Sequence, residues 1–91
     1  MKYVNGLARI GIVKVHSGCK TSYSKLQKAI FYRYGFLLGD VVMSREEDTG
    51  YLVAEGTVYI RRENTLPFMA RDKMEMWLSG MDGVEFTRKE D

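Results

Sequence analysis

The stretch DVVMSREEDTGYLVAEGTVYIRR, residues 40–62, decides the fold. Apolar and polar side chains alternate along its second half, which is typical of a strand with one buried face. The polar segment 45–50 ends in Gly50, which can adopt the positive φ that a tight turn requires. The stretch therefore predicts two antiparallel strands joined by a turn. The side chains expected under the helices are Leu52, Ala54, Gly56, Val58 and Ile60.

A strand and a helix are predicted before this hairpin. Residues 7–16 (LARIGIVKVH) are rich in Ile and Val and predict a strand. Both of its faces are apolar, which indicates either a central position in the sheet or a bulge near Gly11. Thr21 or Ser22 can cap the helix that follows, and Gly35 can end it. The buried stripe of that helix is expected to be Tyr23, Leu26, Ile30 and Tyr34.

A second helix and a last strand are predicted after the hairpin. Pro67 fits the first turn of a helix, where its missing N–H has no cost, and Gly80 or Gly83 can end that helix. Residues 84–88 (VEFTR) alternate and predict a strand with Val84 and Phe86 inward. The apolar stripe of the helix is expected to be Ala70, Met74, Trp77 and Met81, beside Phe68 and Leu78.

The order βαββαβ predicts an α+β fold of two layers in one domain spanning residues 1–91. With right-handed crossovers, the strands form a four-stranded antiparallel sheet that carries two helices on one face. This is the ferredoxin-like arrangement, in which the first and third strands are central. A TATA-box-binding-protein-like fold, with extra strands before the final helix, is the alternative.

Residues 10–60 resemble a domain-of-unknown-function family found mainly in Bacteroidetes proteins. The resemblance rests on a capped amphipathic helix and the acidic turn 46–48, followed by the pattern G-x-apolar-x-x-x-G-T. The matching positions are Gly50, Leu52, Gly56 and Thr57. Phe31 stands where the helix of the family usually has Trp. The resemblance implies a TATA-box-binding-protein-like fold and no particular activity.

Composition and charge are those of an ordinary soluble protein, and a cytoplasmic location is expected. The single Cys excludes an intrachain disulfide. No apolar run is long enough for a membrane span or a signal peptide, so no membrane partner is expected. The net charge of +2 conceals a division, because residues 1–39 carry seven bases and no acid, whereas residues 40–91 carry twelve acids and seven bases. Such a division affects association more than folding.

The candidate chemical sites are weak. His16 and Cys19 lie three residues apart, and a thiol at a helix start beside Lys20 can be reactive. No third partner for a catalytic triad and no metal-ligand pattern accompanies them. The segment 18–22 (GCKTS) lacks the upstream Gly of a phosphate-binding loop. We therefore expect no enzyme, cofactor or metal, with a thiol-dependent enzyme using Cys19 as an alternative.

The leading functional hypothesis is a small non-catalytic protein-interaction or self-association module, so that the partner is another protein or a second copy in a homo-oligomer. Its surface is the sheet face that no helix covers, which would leave a partly apolar patch. The candidate residues on that face are Tyr51, Val53, Thr57, Tyr59 and Arg61.

The alternative hypothesis is nucleic-acid binding through the basic first helix. The cationic side chains there, with tyrosines interleaved among them, could contact phosphates. The candidate residues are Lys20, Lys25, Lys28, Tyr32 and Arg33.

Overall fold

The computed structural model describes residues 3–17, 22–64 and 67–89, without the side chains of residues 67–69. Its elements follow the order β1 (Leu7–His16), α1 (Tyr23–Tyr34), β2 (Leu37–Arg45), β3 (Leu52–Arg61), α2 (Pro67–Ser79) and β4 (Val84–Arg88). The strands form one antiparallel sheet in the order β2-β3-β1-β4. The α+β prediction is confirmed, with β1 and β3 central. The described residues place two strands between the helices, which is the ferredoxin-like arrangement.

Helix α1 begins and ends where its caps predict. The backbone N–H of Lys25 donates to the Ser22 hydroxyl at 3.2 Å, which satisfies one of the unpaired donors of the first turn. Gly35 has a φ of 72° and its N–H donates to the Phe31 carbonyl at 2.9 Å. This left-handed residue closes the helix without the strain that a Cβ would add.

A bulge in β1 explains the apolar residues on both of its apparent faces. The pairing with β3 shifts between Arg9 and Gly11, so Ile10 and Val13 reach the same core although they are three residues apart. Gly11 lies beneath the ring of Phe86, which occupies the space that a Cβ would need. Both explanations offered for this strand, a central position and a bulge, are confirmed.

The core lies between the sheet and the two helices. Helix α1 contributes Leu26 and Ile30, and helix α2 contributes Met74 and Leu78. Each of these four side chains is almost fully buried, so Leu78 is a core residue and not a neighbour of the core. The remaining buried members are Ala8, Ile10, Val13, Val15, Phe36, Leu38, Val58, Ile60 and Val84.

Strand β2 begins earlier than the hairpin pattern suggests. It starts at Leu37, and Phe36 and Leu38 belong to the core. A second register shift lies between Gly39 and Val42, where Asp40 has a positive φ of 53°. This irregularity interrupts the alternation of side chains between the two faces of the sheet. The sequence pattern therefore did not show that the strand begins as early as Leu37.

Gly11→Ala should lower the free energy of unfolding by roughly 1–3 kcal/mol, because overpacking a filled site forces the sheet to shift. The new Cβ would meet the Phe86 ring and lie 2.8 Å from the Thr87 carbonyl oxygen, which is backbone and cannot move alone. The matched control is Gly80→Ala, whose Cβ would be 3.6 Å from its nearest neighbour. Urea denaturation compares the two, and an equal loss in both would contradict the packing at Gly11.

Candidate interaction surface

The sheet face opposite the helices carries the five predicted partner-binding residues, but it exposes them unequally. Tyr51 is 62% exposed and Arg61 is also exposed, whereas Thr57 and Tyr59 are half-buried. Tyr51 and Arg61 are ten residues apart, which is about 33 Å along a strand. The two most exposed members therefore do not form one patch.

The expectation that Val53 belongs to an exposed patch is wrong, because its side chain is only 4% exposed.

A carboxylate–imidazole–carboxylate bridge crosses the sheet beside Val53. Glu46 contacts Nδ1 of His16 at 2.5 Å, and Glu85 contacts Nε2 at 3.0 Å. Since β3 lies between β1 and β2, the contact between His16 and Glu46 must pass over β3 next to Val53, which is the register partner of His16.

Sequence reasoning missed this bridge and considered His16 only together with Cys19. Its three members are distant in the chain and belong to β1, the turn after β2, and β4. No local spacing links them, so only the strand order could bring them together. The two carboxylates lie at opposite ring nitrogens and do not converge on one point.

Tyr59 is held at the other end of the face. Its hydroxyl donates to the carboxylate of Asp40, in the β2 bulge, and Arg9 is its register partner on β1. The hydrogen bond to Asp40, burial and the negative charge of Asp40 together raise the pKa of Tyr59 above its ordinary value of 10.0. Tyr59 is thus bound within the chain, which reduces what it can offer to a partner.

Exposed apolar side chains are concentrated on the part of the hairpin beyond the helices, residues 41–52, here named the hairpin arm. Helix α1 begins at Tyr23, whose ring lies over Gly56, so residues nearer the turn have no helix above them. Val42 is 62% and Met43 is 58% exposed. The other exposed apolar residues of the arm are Val41, Tyr51 and Leu52. The signal that could have found the arm is the consecutive apolar triplet 41–43.

Strand β2 is also an edge strand with unpaired backbone groups. The backbone N–H of Glu46 donates to the Tyr51 carbonyl at 2.9 Å, so Glu46 and Tyr51 form a hydrogen-bonded pair of the antiparallel ladder. Since hydrogen-bonded pairs alternate in an antiparallel ladder, the N–H and C=O groups of Met43 and Arg45 point away from β3. No other strand in the described part of the chain pairs with this side of β2.

The first half of the same edge is closed by α1. Gln27 Nε2 donates to the Leu38 carbonyl at 2.7 Å, so that carbonyl is already satisfied. A groove of about 210 Å³ lies between α1 and β2, with Phe31 and Leu37 along its apolar part and Lys28 and Tyr32 at its rim. The open segment of the edge is therefore residues 41–45.

The basic helix presents fewer free groups than its sequence suggests. Lys25 and Lys28 are exposed and Tyr32 is 81% exposed, so these three form a contiguous outer face. Arg33 instead stacks its guanidinium 4.5 Å from the centroid of the Trp77 ring, which ties α1 to α2. Lys20 lies outside the described residues.

The described residues contain no group of three or more His, Cys, Asp or Glu side chains that could hold a metal ion. Cys19, the candidate nucleophile, lies outside them. Of the helices in the described part of the chain, none is long and apolar enough to cross a membrane.

No family model, curated protein sequence or solved structure matches this chain. The resemblance of residues 10–60 to a domain-of-unknown-function family therefore stays a prediction.

Asp40→Asn should lower the pKa of Tyr59 toward its ordinary value, because it removes the negative charge that favours the neutral phenol. The raised pKa of Tyr59 contributes to the free energy of unfolding below pH 10, and this contribution is lost as pH rises through the pKa of the folded state. Because the folded-state pKa is lower in the variant, the contribution should be lost at a lower pH. Residue-specific NMR titration of the Tyr59 ring measures the shift. An unchanged midpoint in the variant would show that Asp40 does not hold this hydroxyl.

Proposed function

We propose that this chain is a small non-catalytic interaction module that self-associates, with the free edge of β2 in the hairpin arm pairing with β2 of a second copy. The observation that carries the proposal is the coincidence of exposed apolar side chains and unpaired backbone groups on one segment, residues 41–45. An exposed apolar edge strand is a template for pairing with another chain. Residues 41–45 contain neither Pro nor Lys, the residues that commonly protect such edges.

A two-fold axis through Met43 suits this edge. Antiparallel pairing about that axis sets Met43 opposite Met43 of the second copy and Arg45 opposite Val41. The outward N–H and C=O groups of Met43 then find partners, which satisfies backbone groups that otherwise bond to water. The arrangement is isologous, as most homodimers are, and it joins two sheets of four strands into one sheet.

The pairing also covers the apolar residues of the arm. Val41, Met43 and Leu52 share the helix side of the sheet, because Met43 and Arg45 pair with Ala54 and Leu52 in register. In the two-fold pair, both helix layers lie on that same side. The apolar residues of the two arms then form one continuous floor between the layers.

The open sheet face supports self-association less well than the edge does. Val53 is buried, and the Tyr59 hydroxyl is bonded to Asp40 within the chain. Tyr51, Thr57 and Arg61 remain available, but they lie along the whole length of β3. Residues that are already covered or bonded contribute little further burial to an interface.

A second candidate function is nucleic-acid binding, favoured by the outer face of α1. Lys25, Lys28 and Tyr32 are exposed side by side, which combines cations for phosphates with a ring on which a base can stack. Arg33 does not belong to that face because it stacks on Trp77. Two exposed lysines and one ring support weak binding, which decreases with salt in proportion to the two phosphate contacts.

Met43→Lys should weaken self-association at least tenfold, because it places like charges directly opposite each other at the two-fold axis. Sedimentation velocity over a concentration series should show wild type moving from 10.5 kDa toward twice that mass. The matched control is Met76→Lys on α2, whose native side chain is 76% exposed, and it should behave as wild type. Concentration-dependent protection of the Met43 and Arg45 amides from hydrogen exchange would identify the edge.

A protein that stays monomeric at millimolar concentration would refute the proposal. Dimerisation that Met43→Lys leaves intact but Tyr59→Glu abolishes would assign the interface to the open sheet face. Equal weakening by Met43→Lys and Met76→Lys would indicate non-specific apolar association.

For the second candidate, Lys25→Glu together with Lys28→Glu should abolish a gel shift of single-stranded oligonucleotide at low salt. The reason is that phosphate contacts supply nearly all of such non-specific affinity. Lys73→Glu, on α2, is the charge-matched control. The absence of any shift with wild type at low salt would exclude this function.

A further inference from the structure

We infer that, in the self-associated pair, the acidic turn of each hairpin arm docks against Lys28 on α1 of the other copy, so that opposite charges select the antiparallel register. The inference rests on the proposed function and adds the surface that gives it specificity. It concerns Glu47 and Asp48 on the turn, and the α1–β2 groove at whose rim Lys28 lies.

The turn presents Glu47 and Asp48 outward on a rigid base. The Gly50 N–H donates to the Glu46 carbonyl at 2.8 Å, and the Thr49 hydroxyl donates to the Glu46 carboxylate at 3.0 Å. The other oxygen of that carboxylate contacts His16. Both free acids are exposed, and within the described residues neither has an ion-pair partner. A preformed turn loses little conformational entropy when it binds.

Lys28 is a free cation of complementary charge. It lies on α1, where the segment 23–34 contains no acidic residue. Its side chain is exposed and forms no salt bridge with any described residue. Phe31 and Leu37 lie beside it in the groove, so a charge bound there is partly shielded from water. Partial shielding strengthens an ion pair relative to an exposed one.

The two charged sites cannot meet within one copy. The groove lies at the level of Leu38, and Glu47 is nine residues further along the hairpin, which is about 30 Å in an extended strand. The two-fold pair removes this separation. With Met43 on the axis, Arg45 of one copy lies opposite Val41 of the other, so the turn that follows β2 lies past Val41, toward the β2 bulge and Leu38.

Strand neighbours in a sheet are about 4.8 Å apart, so the turn of the second copy lies beside the groove rim. The pairing repeats by symmetry, which gives two such contacts per dimer. A parallel arrangement of the two edges would instead bring the acidic turns together. The charge pattern therefore opposes the parallel pair and favours the antiparallel one.

The test is a charge-reversal experiment read by sedimentation and followed by circular dichroism as a check of folding. Lys28→Glu and Glu47→Lys should each weaken self-association roughly tenfold, because each turns two attractive contacts into repulsive ones. An equimolar mixture of the two single variants should associate as wild type does, since both contacts of the mixed dimer again join opposite charges. The variant carrying both changes should also recover. The charge-matched controls are Lys73→Glu and Glu63→Lys, which should have no effect.

Recovery of association in the mixture is the decisive result, because it requires that the ion pair between residues 28 and 47 forms between two copies. Association that is insensitive to all four reversals but lost in Met43→Lys would overturn this inference and leave the proposed function standing. A wild-type protein that is monomeric throughout would overturn both. Loss of an oligonucleotide gel shift in Lys28→Glu, with unchanged association, would assign Lys28 to nucleic acid instead.

Discussion

The strands of the sheet are longer than the helices that cover them, and this mismatch explains which surfaces are exposed. Strands β1 and β3 have ten residues each and extend about 33 Å, whereas α1 has twelve residues and spans about 18 Å. Helix α1 covers the sheet as far as Gly56, and the hairpin arm continues beyond it. The long axis of the molecule, 40 Å against 23 and 18 Å, reflects this arm. Exposed apolar surface is the direct consequence of incomplete coverage.

Two backbone irregularities determine which side chains the sheet presents on each face. The bulge in β1 turns Ile10 and Val13 toward one core and depends on Gly11, above which Phe86 packs. The bulge in β2 turns Asp40 toward Tyr59 and separates the closed half of the edge from the open half. A bulge reverses the orientation of every later residue, so one inserted position decides what a whole strand segment can contact.

Positive and negative charges are separated in the folded molecule as they are along the chain. The cations of α1 lie over the closed end of β2, and the acids of the turn lie at the far end of the arm. Glu46 contacts His16, and Arg88 forms salt bridges with Asp72 and Glu75, so these groups are already engaged within the monomer. Among the described residues, Glu47 and Asp48 at the turn and Lys28 on α1 form no salt bridge, and the proposed association brings these opposite charges together.

The sequence alone predicted the element order, the capped first helix, the position of the turn and most of the core, because each of these follows from local periodicity and cap chemistry. It also offered a bulge near Gly11 as one of two explanations for a strand that is apolar on both faces. The burial of Val53, the bridge through His16 and the open edge at Met43 emerge only from the arrangement of the strands in space. These depend on which strands are neighbours and on how far α1 reaches, and neither is a property of any local segment. For the same reason the sequence predicted the helix and strand faces well, but it did not predict that Val53 is buried or that the hairpin arm is exposed.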